Sequence, residues 1–106
     1  MTELPSEVAR LLAATNAEDR DAFLDAFTDD GVVDDWGRQF RGIVAMRGWS
    51  DDEFIGKQVS LDVEDVTEDG DDVVVKVDVG GNGFTGRSTF TFTVSGDKVK
   101  QMTIRE

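Results

Sequence analysis

The chain has 106 residues and a net charge of −12, and it contains no cysteine, histidine or tyrosine. Its length predicts one domain with one hydrophobic core, while the missing residue types exclude disulfides, thiolate sites, histidine-based acid–base catalysis and a tyrosine oxyanion donor. The acidic balance predicts that neither nucleic acid nor a membrane is a partner, and no segment approaches the ~20 apolar residues that span a bilayer.

The N-terminal segment predicts a helix rather than a targeting signal. MTELPSEVAR contains no basic stretch followed by an apolar run, so it does not resemble a signal peptide, and we expect a cytoplasmic protein. Pro5 fits the first turn of a helix, where its missing N–H does no harm. Mostly apolar residues then recur at helical spacing and form one face of the helix, at Leu4, Val8, Leu11, Leu12 and Thr15.

A second helix is predicted over residues 19–27. Either Asn16 or Asp19 can cap it, because a short polar side chain accepts a hydrogen bond from the first helical turn. The acidic turn DDG at 29–31 is expected to end this helix. Its apolar residues share one face, at Phe23, Leu24 and Phe27.

The segment VVDDWGRQF, which follows the acidic turn, predicts two short strands. The first covers 32–36, the chain turns at Gly37, and the second strand runs to Phe40. Two adjacent acids, Asp34 and Asp35, stand near the end of the first strand and must point to opposite faces. Carboxylates normally stay in water unless they are paired or used, so this pair is a candidate for chemistry.

A third helix is expected to begin at Gly42. Ser50 and Glu53 have the spacing of a capping box, which predicts a kink followed by a fresh turn that ends at Gly56. The helical segment carries Ile43, Met46, Arg47, Trp49 and Phe54.

The remainder of the chain predicts four strands. In the first, apolar and polar residues alternate from Val59, and the alternation slips by one residue before Val66, which indicates a bulge. The other three strands cover 73–79, 89–94 and 99–105. Helices followed by an antiparallel meander indicate an α+β fold with the helices packed on one face of a curled sheet. The opposite face is polar, with Lys76, Asp78, Thr89, Thr91, Thr93, Gln101 and Thr103.

This element order, together with FTDDGVVDDWGRQFRG and the later MRGWSDDEFIG, resembles the SnoaL-like branch of the nuclear transport factor 2-like superfamily. That group includes ketosteroid isomerases, polyketide cyclases and limonene epoxide hydrolases, and the resemblance covers nearly the whole chain. It implies a cone-shaped fold in which three N-terminal helices pack in a curved, mostly antiparallel β-sheet. It also implies an apolar pocket at the mouth of the cone and a homodimer formed through the outer sheet face.

The resemblance places Asp35 where ketosteroid isomerases have their general base. Both oxyanion donors of those enzymes are missing, since Leu11 replaces the helix tyrosine and Thr89 or Phe90 stands near the second acid. Asp35 has two interpretations, a poorly solvated base at the apolar mouth or an exposed acid that protects an edge strand from pairing. Asp34 is the alternative candidate for this base, because strand parity sends the two carboxylates to opposite faces.

Five aromatic residues are candidates for the ligand-binding pocket. Trp36 and Trp49 stand beside charged groups and turns, which favours the pocket rim because tryptophan combines a large apolar face with one donor. Phe40 and Phe54 follow the apolar pattern, which favours core over pocket for these two residues. Phe90, on a later strand, completes the set.

Arg47 is the candidate for a charged ligand contact on the third helix. It could orient an anionic ligand or neutralise one of the two acids, and it could equally be a solvated helix charge. We therefore predict that Asp35 points into an apolar cavity rimmed by Trp36 or Trp49, with Arg47 within reach.

No metal site and no cofactor are predicted. DVTEDG at 65–70 has half the pattern of a calcium loop, but Lys76 stands where a bidentate glutamate is needed. GGNG at 80–83 lacks the lysine and the following helix of a phosphate-binding loop. Both segments are therefore interpreted as turns.

The sequence favours a protein that binds a small hydrophobic molecule in an apolar pocket. One alternative is an isomerase- or cyclase-type enzyme that uses Asp35 as a general base on a hydrophobic carbonyl or polycyclic substrate. Another is an accessory dimer whose pocket is vestigial. The missing oxyanion donors favour binding or an accessory role over catalysis.

Overall fold

The computed structural model describes residues 4–83 and 85–105, and these form three helices, one 3₁₀ turn and six strands. Helices come first, with one strand pair between the second and third, and four long strands complete the chain. The elements are α1 Ser6–Asn16, α2 Arg20–Asp25, β1 Phe27–Asp35, β2 Arg38–Arg41, α3 Ile43–Glu53, the 3₁₀ turn Ile55–Lys57, β3 Ser60–Asp69, β4 Asp72–Gly80, β5 Gly86–Ser95 and β6 Lys98–Arg105.

The two N-terminal helices form where polar groups cap or anchor an apolar face. The side chain of Asp19 caps α2 by accepting a hydrogen bond from the N–H of Ala22 at 3.1 Å. Asn16 instead bonds the backbone of Leu61 in both directions, at 2.7 and 3.0 Å, and so ties α1 to β3. Of the two residues predicted to cap α2, Asp19 is therefore the one that does so. The buried face of α1 consists of Val8, Leu11, Leu12, Ala14 and Thr15.

The six strands of the described residues form one open sheet in the order β2–β1–β6–β5–β4–β3. β1 and β6 run parallel, whereas the other four neighbouring pairs are antiparallel. The register shifts between Val63 and Asp65, which is the bulge predicted for β3. The pairings of β1 with β6 and of β5 with β6 also contain a register shift each. Such irregularities bend strands and increase their twist. The predicted α+β fold with a mostly antiparallel sheet is confirmed.

The core lies between the helices and the inner face of the sheet. Alternate residues of β4, β5 and β6 are fully buried there, among them Val75, Val77, Phe90, Phe92 and Met102. The residues between them form the predicted outer face, half-buried or exposed, with Lys76, Asp78, Thr89, Thr91, Thr93, Gln101 and Thr103. The period of two places apolar and polar side chains on opposite faces.

β1 is longer than predicted, because the acidic DDG lies inside the strand instead of ending a helix. α2 stops at Asp25 and β1 begins at Phe27, and the register with β6 shifts between Phe27 and Val32. Residues 28–31 have no register partner on β6, so the acidic turn persists as an irregularity within β1. At its other end β1 stops at Asp35, so Trp36 belongs to the turn rather than to the strand.

α3 is continuous from Ile43 to Glu53, so the predicted capping box at Ser50 is wrong. Ser50 is fully buried inside the helix, and its hydroxyl has no hydrogen-bond partner among the described residues. The helix ends at Glu53, Phe54 is its C-cap, and the 3₁₀ turn begins at Ile55. Gly56 is required there, since a Cβ would lie 1.7 Å from the carbonyl oxygen of Asp51.

Candidate functional site

A cavity of about 340 Å³ opens at the end of the sheet where β1 finishes. The β1–β2 turn, the end of α3, the 3₁₀ turn and the β4–β5 connection surround it. Its apolar wall includes Trp49, Phe54, Val59, Val79, Phe90 and Ile104, and its polar groups include Asp35, Arg38, Glu53, Lys57 and Ser88. The arrangement is mostly apolar with a few polar groups, as in many small-molecule sites.

Three aromatic rings form a continuous wall of the cavity. Trp49, on α3, is 3% exposed and stacks on Phe54 with ring centroids 4.7 Å apart. Phe54 in turn lies 6.3 Å from the ring of Phe90 on β5. These rings pack against the core on one side and line the cavity on the other. Phe54 is therefore both a core residue and a pocket residue, the two roles predicted for it as alternatives.

Asp35 is the carboxylate that lies on the cavity wall. Its Oδ2 accepts hydrogen bonds from Trp49 Nε1 at 3.1 Å and from Arg38 Nη2 at 2.5 Å. Its Oδ1 accepts none from the part of the chain that the structure describes, and the side chain is 16% exposed. Asp35 is therefore held in one orientation through one oxygen, while the other remains able to accept a hydrogen bond.

Arg38 links Asp35 to Glu53 across the mouth of the cavity. Its two terminal nitrogens reach the two carboxylate oxygens of Glu53 at 2.8 and 3.1 Å, a bidentate pair. Hydrogen bonding to Glu53, and then to Asp35, raises the pKa of Arg38 above its usual value. The guanidinium also lies 5.6 Å from the ring centroid of Phe40. Asp35, Arg38 and Glu53 therefore form a row of negative, positive and negative side chains.

Asp34 points away from the cavity and has a structural environment. Its Oδ1 accepts hydrogen bonds from the N–H of Gly37 at 2.8 Å and from Arg105 Nη1 at 3.0 Å. The bond from Arg105 is the main reason that the pKa of Asp34 is lowered, and the Gly37 N–H adds to it, partly offset by burial. Asp34 anchors the turn that follows it, so the alternative that made it the pocket acid is wrong.

The turn after Asp35 presents Trp36 at the mouth of the cavity. Trp36 and Gly37 both have positive φ, 56° and 90°, the pattern of a two-residue hairpin turn of type I′. A tryptophan in this conformation is unusual, because its Cβ crowds the backbone. The indole lines the cavity while 53% of the residue stays exposed, which places Trp36 at the rim.

Two of the predicted pocket residues do not line the cavity. Arg47 lies on the exposed side of α3, one residue after the buried Met46, so the prediction that it reaches Asp35 is wrong. Arg38 takes that position, because the hairpin pairs Asp35 directly with Arg38. Phe40 is half-buried behind the wall, with its ring 6.1 Å from that of Trp49.

The sequence interpretation missed Arg38, Glu53, Lys57 and Ser88 as cavity residues. Arg38 carried a usable signal, because a two-residue turn at Trp36-Gly37 would have paired it with Asp35. The other three come from the end of α3, the 3₁₀ turn and β5, and only the folded chain brings them together. No pattern of spacing links those positions.

Two other kinds of site are absent from the described residues. Residues 4–83 and 85–105 contain no group of three or more His, Cys, Asp or Glu side chains placed to hold a metal ion. Within the same ranges, none of the helices combines the length and apolarity needed to cross a membrane.

Known structures share the whole fold of this chain. A candidate polyketide cyclase from Sinorhizobium meliloti has 27% identity and a TM-score of 0.85, over 96% of this chain and 95% of its own. A protein of ketosteroid isomerase-like fold from Catenulispora acidiphila, in complex with trimethylamine, has 19% identity and a TM-score of 0.82, over 98% and 87%. A Mycobacterium tuberculosis protein in complex with estradiol-17β-hemisuccinate has 19% identity and a TM-score of 0.79, over 92% and 88%.

The family follows from a match to nearly the whole chain. No curated protein matches it. The family model of the SnoaL-like domain, however, matches residues 8–102, a segment that runs from α1 into β6. The resemblance inferred from the sequence is thereby confirmed, and the chain belongs to the SnoaL-like domain family.

Proposed function

We propose that this protein binds a small, largely apolar molecule in the cavity and orients it with Asp35. The observation that carries this proposal is the hydrogen bonding of the Asp35 carboxylate. Trp49 and Arg38 fix one oxygen, and the other accepts no hydrogen bond from the described residues. A preoriented acceptor on an apolar wall favours a ligand that brings its own donor, such as a hydroxyl or an N–H group.

The cavity wall indicates the rest of the ligand. Trp49, Phe54 and Phe90 offer flat apolar surface, and aromatic faces pack well against ring systems. A volume of about 340 Å³ lies near the lower end of the range of drug-sized sites. We expect a compact molecule of a few fused or linked rings with one polar end at Asp35.

Two relatives support this choice of ligand class. One is a candidate polyketide cyclase, and another was solved in complex with a steroid derivative. Both ligand classes implied by these descriptions are polycyclic and largely apolar. The same chemistry fits the present wall, with Asp35 as the polar contact.

The binding proposal is tested with para-phenylphenol and estradiol as probes. Quenching of tryptophan fluorescence and calorimetry should both detect binding, since Trp36 and Trp49 line the cavity. Asp35→Asn should weaken binding of para-phenylphenol by about ten-fold or more, because a charged acceptor is lost. Biphenyl, which lacks the hydroxyl, should bind both proteins equally.

Asp29→Asn is the matched control, because Asp29 is an exposed acid on the same strand. It should bind para-phenylphenol as the wild type does. If neither para-phenylphenol nor estradiol binds the wild-type protein, the binding proposal is contradicted. It is also contradicted if Asp35→Asn binds both compounds as tightly as the wild type does.

A second candidate function is proton abstraction by Asp35. The uncommitted Oδ1 beside an apolar wall favours it, as does the position that Asp35 shares with the isomerase base. The described lining, however, offers no tyrosine to stabilise an enolate, and its second carboxylate, Glu53, is paired with Arg38. Leu11 is buried in the core. A catalyst would exchange the α-deuterium of an apolar cyclic ketone, and Asp35→Asn would abolish that exchange while the fold survives.

We further propose that two copies of the chain associate through the outer sheet face. Thr89, Thr91 and Thr93 are half-buried there, and the face also carries charged residues, so the interface would be polar and hydrated. Thr91→Arg should separate the copies, whereas Thr85→Arg, at an exposed position outside the strands, should not. Light scattering at micromolar concentration that detects only the 11.6 kDa chain would contradict this proposal.

A further inference from the structure

Ser88 is a second polar group on the cavity wall with unused hydrogen-bonding capacity. It is 4% exposed and lines the cavity from β5. Its hydroxyl makes no side-chain hydrogen bond to any residue in 4–83 or 85–105, and it is not among the hydroxyls fully enclosed by protein. The hydroxyl therefore keeps access to the cavity.

The surroundings of Ser88 give the hydroxyl no structural role. Ser88 lies on the inner face of β5, two residues before Phe90, and it is paired across the sheet with Val77. Both neighbours are fully buried apolar residues. A hydroxyl in such a place destabilises the fold unless something hydrogen-bonds it, and an alanine or valine would pack at least as well.

The sheet register sets the separation between Ser88 and Asp35. Asp35 on β1 is aligned with Ile104 on β6, and Ile104 is aligned with Phe90 on β5. Ser88 stands one inward-facing position nearer the mouth than Phe90. Two strand spacings of ~4.8 Å across the sheet and two residues of ~3.4 Å along β5 place the two positions roughly 12 Å apart. Of the other charged groups of the lining, Arg38 and Glu53 are already paired with each other, and Lys57 is exposed on the 3₁₀ turn.

We propose that Ser88 is a second anchor for the ligand, opposite Asp35. The ligand is then a rigid, largely apolar molecule with two polar ends. One end donates a hydrogen bond to Asp35, and the other, a hydroxyl or a carbonyl, bonds the Ser88 hydroxyl. This inference rests on the proposed binding function and adds the requirement for a second polar group at a fixed distance.

The test compares two probes of the same shape that differ by one hydroxyl. Para,para′-biphenol has a hydroxyl at each end, and para-phenylphenol has one. Affinities of both are measured by calorimetry for the wild type, Ser88→Ala and Ser88→Cys. Ser95→Ala is the matched control, because Ser95 is an exposed serine at the far end of the same strand. Thermal unfolding of each variant checks that the fold is retained.

We expect the wild type to prefer para,para′-biphenol by about five-fold, the worth of one neutral hydrogen bond. In Ser88→Ala and Ser88→Cys the ratio of the two affinities should fall to about one, and Ser95→Ala should keep the wild-type ratio. If the preference is unchanged in both Ser88 variants, or absent in the wild type while para-phenylphenol binds, Ser88 is not an anchor. If neither probe binds the wild type, the binding function itself fails and this inference fails with it.

Discussion

Asp34 and Asp35 are adjacent in the chain, yet they lie in two different regions of the molecule. Each has one carboxylate oxygen that accepts two hydrogen bonds. The donors to Asp34 come from the turn and from β6, and the side chain of Gln39 also contributes to its lowered pKa. The donors to Asp35 come from the hairpin and from α3, and Asp35 lines the cavity.

This difference indicates which acid stabilises the fold and which is available to a ligand. Asp34 is bonded by groups of its own sheet and does not line the cavity. Asp35 is fixed in place, lines the cavity and keeps one oxygen without a hydrogen bond from the described residues. Strand alternation alone separates the two environments, because consecutive side chains point to opposite faces.

The largest expected effect comes from removing the support of Asp35. Trp49→Ala should lower the free energy of unfolding by about 3–5 kcal/mol, because it removes a buried indole that stacks on Phe54 and bonds Asp35. Trp36→Ala, at an exposed position of the same cavity, should change it by less than about 0.5 kcal/mol. Urea denaturation measures both values. Equal losses in the two variants would show that Trp49 does not support the wall.

A smaller effect is expected on the side of Asp34, and it depends on pH. The lowered pKa means that folded Asp34 binds fewer protons than unfolded Asp34, whose reference value is 3.8. Its stabilisation is therefore complete above that value and is lost as the pH falls below it. Asp34→Asn should cost about 1 kcal/mol at neutral pH, since Arg105 is partly exposed, and less in acid.

Urea denaturation of the wild type and Asp34→Asn, at neutral pH and near pH 3, checks this dependence. Asp29→Asn serves again as the control, because Asp29 is exposed on the same strand. A stability difference between wild type and Asp34→Asn that stays constant with pH would rule out the ion pair with Arg105 as its cause.

The smallest effect is expected at Arg38. Its side chain is 54% exposed, so Arg38→Gln should leave the unfolding midpoint close to that of the wild type. It should weaken binding of para-phenylphenol by about three-fold, because Asp35 is then held by Trp49 alone and must be ordered when the ligand binds. Calorimetry measures the change. An affinity loss as large as that of Asp35→Asn would mean that Arg38 itself contacts the ligand.

The fold was predictable because its signals are periodic and local. Alternation in the last four strands and the helical spacing of α1 lead to the observed layers, and strand parity separates Asp34 from Asp35. The errors lie where tertiary pairing overrides local patterns. Ser50 has the spacing of a cap but is buried within a continuous helix, and the acidic turn at 29–31 is absorbed into β1.

The candidate site was only partly predictable, for a similar reason. Trp49, Phe54 and Phe90 follow from aromatic content and burial. The partner of Asp35 was sought on the third helix, at Arg47, although a hairpin turn places Arg38 beside it. Ser88 gives no signal in the sequence, because a lone serine among strand residues gains meaning only from the cavity that it lines.

The role of Asp35 is tested most directly by the affinity of para-phenylphenol for Asp34→Asn and Asp35→Asn, measured by calorimetry at neutral pH beside the stability of each variant. Asp35→Asn should lose about ten-fold or more in affinity, whereas Asp34→Asn should bind within about two-fold of the wild type despite its lower stability. Similar affinity losses in the two variants, or a loss confined to Asp34→Asn, would contradict the assignment of Asp35 as the acid that meets the ligand.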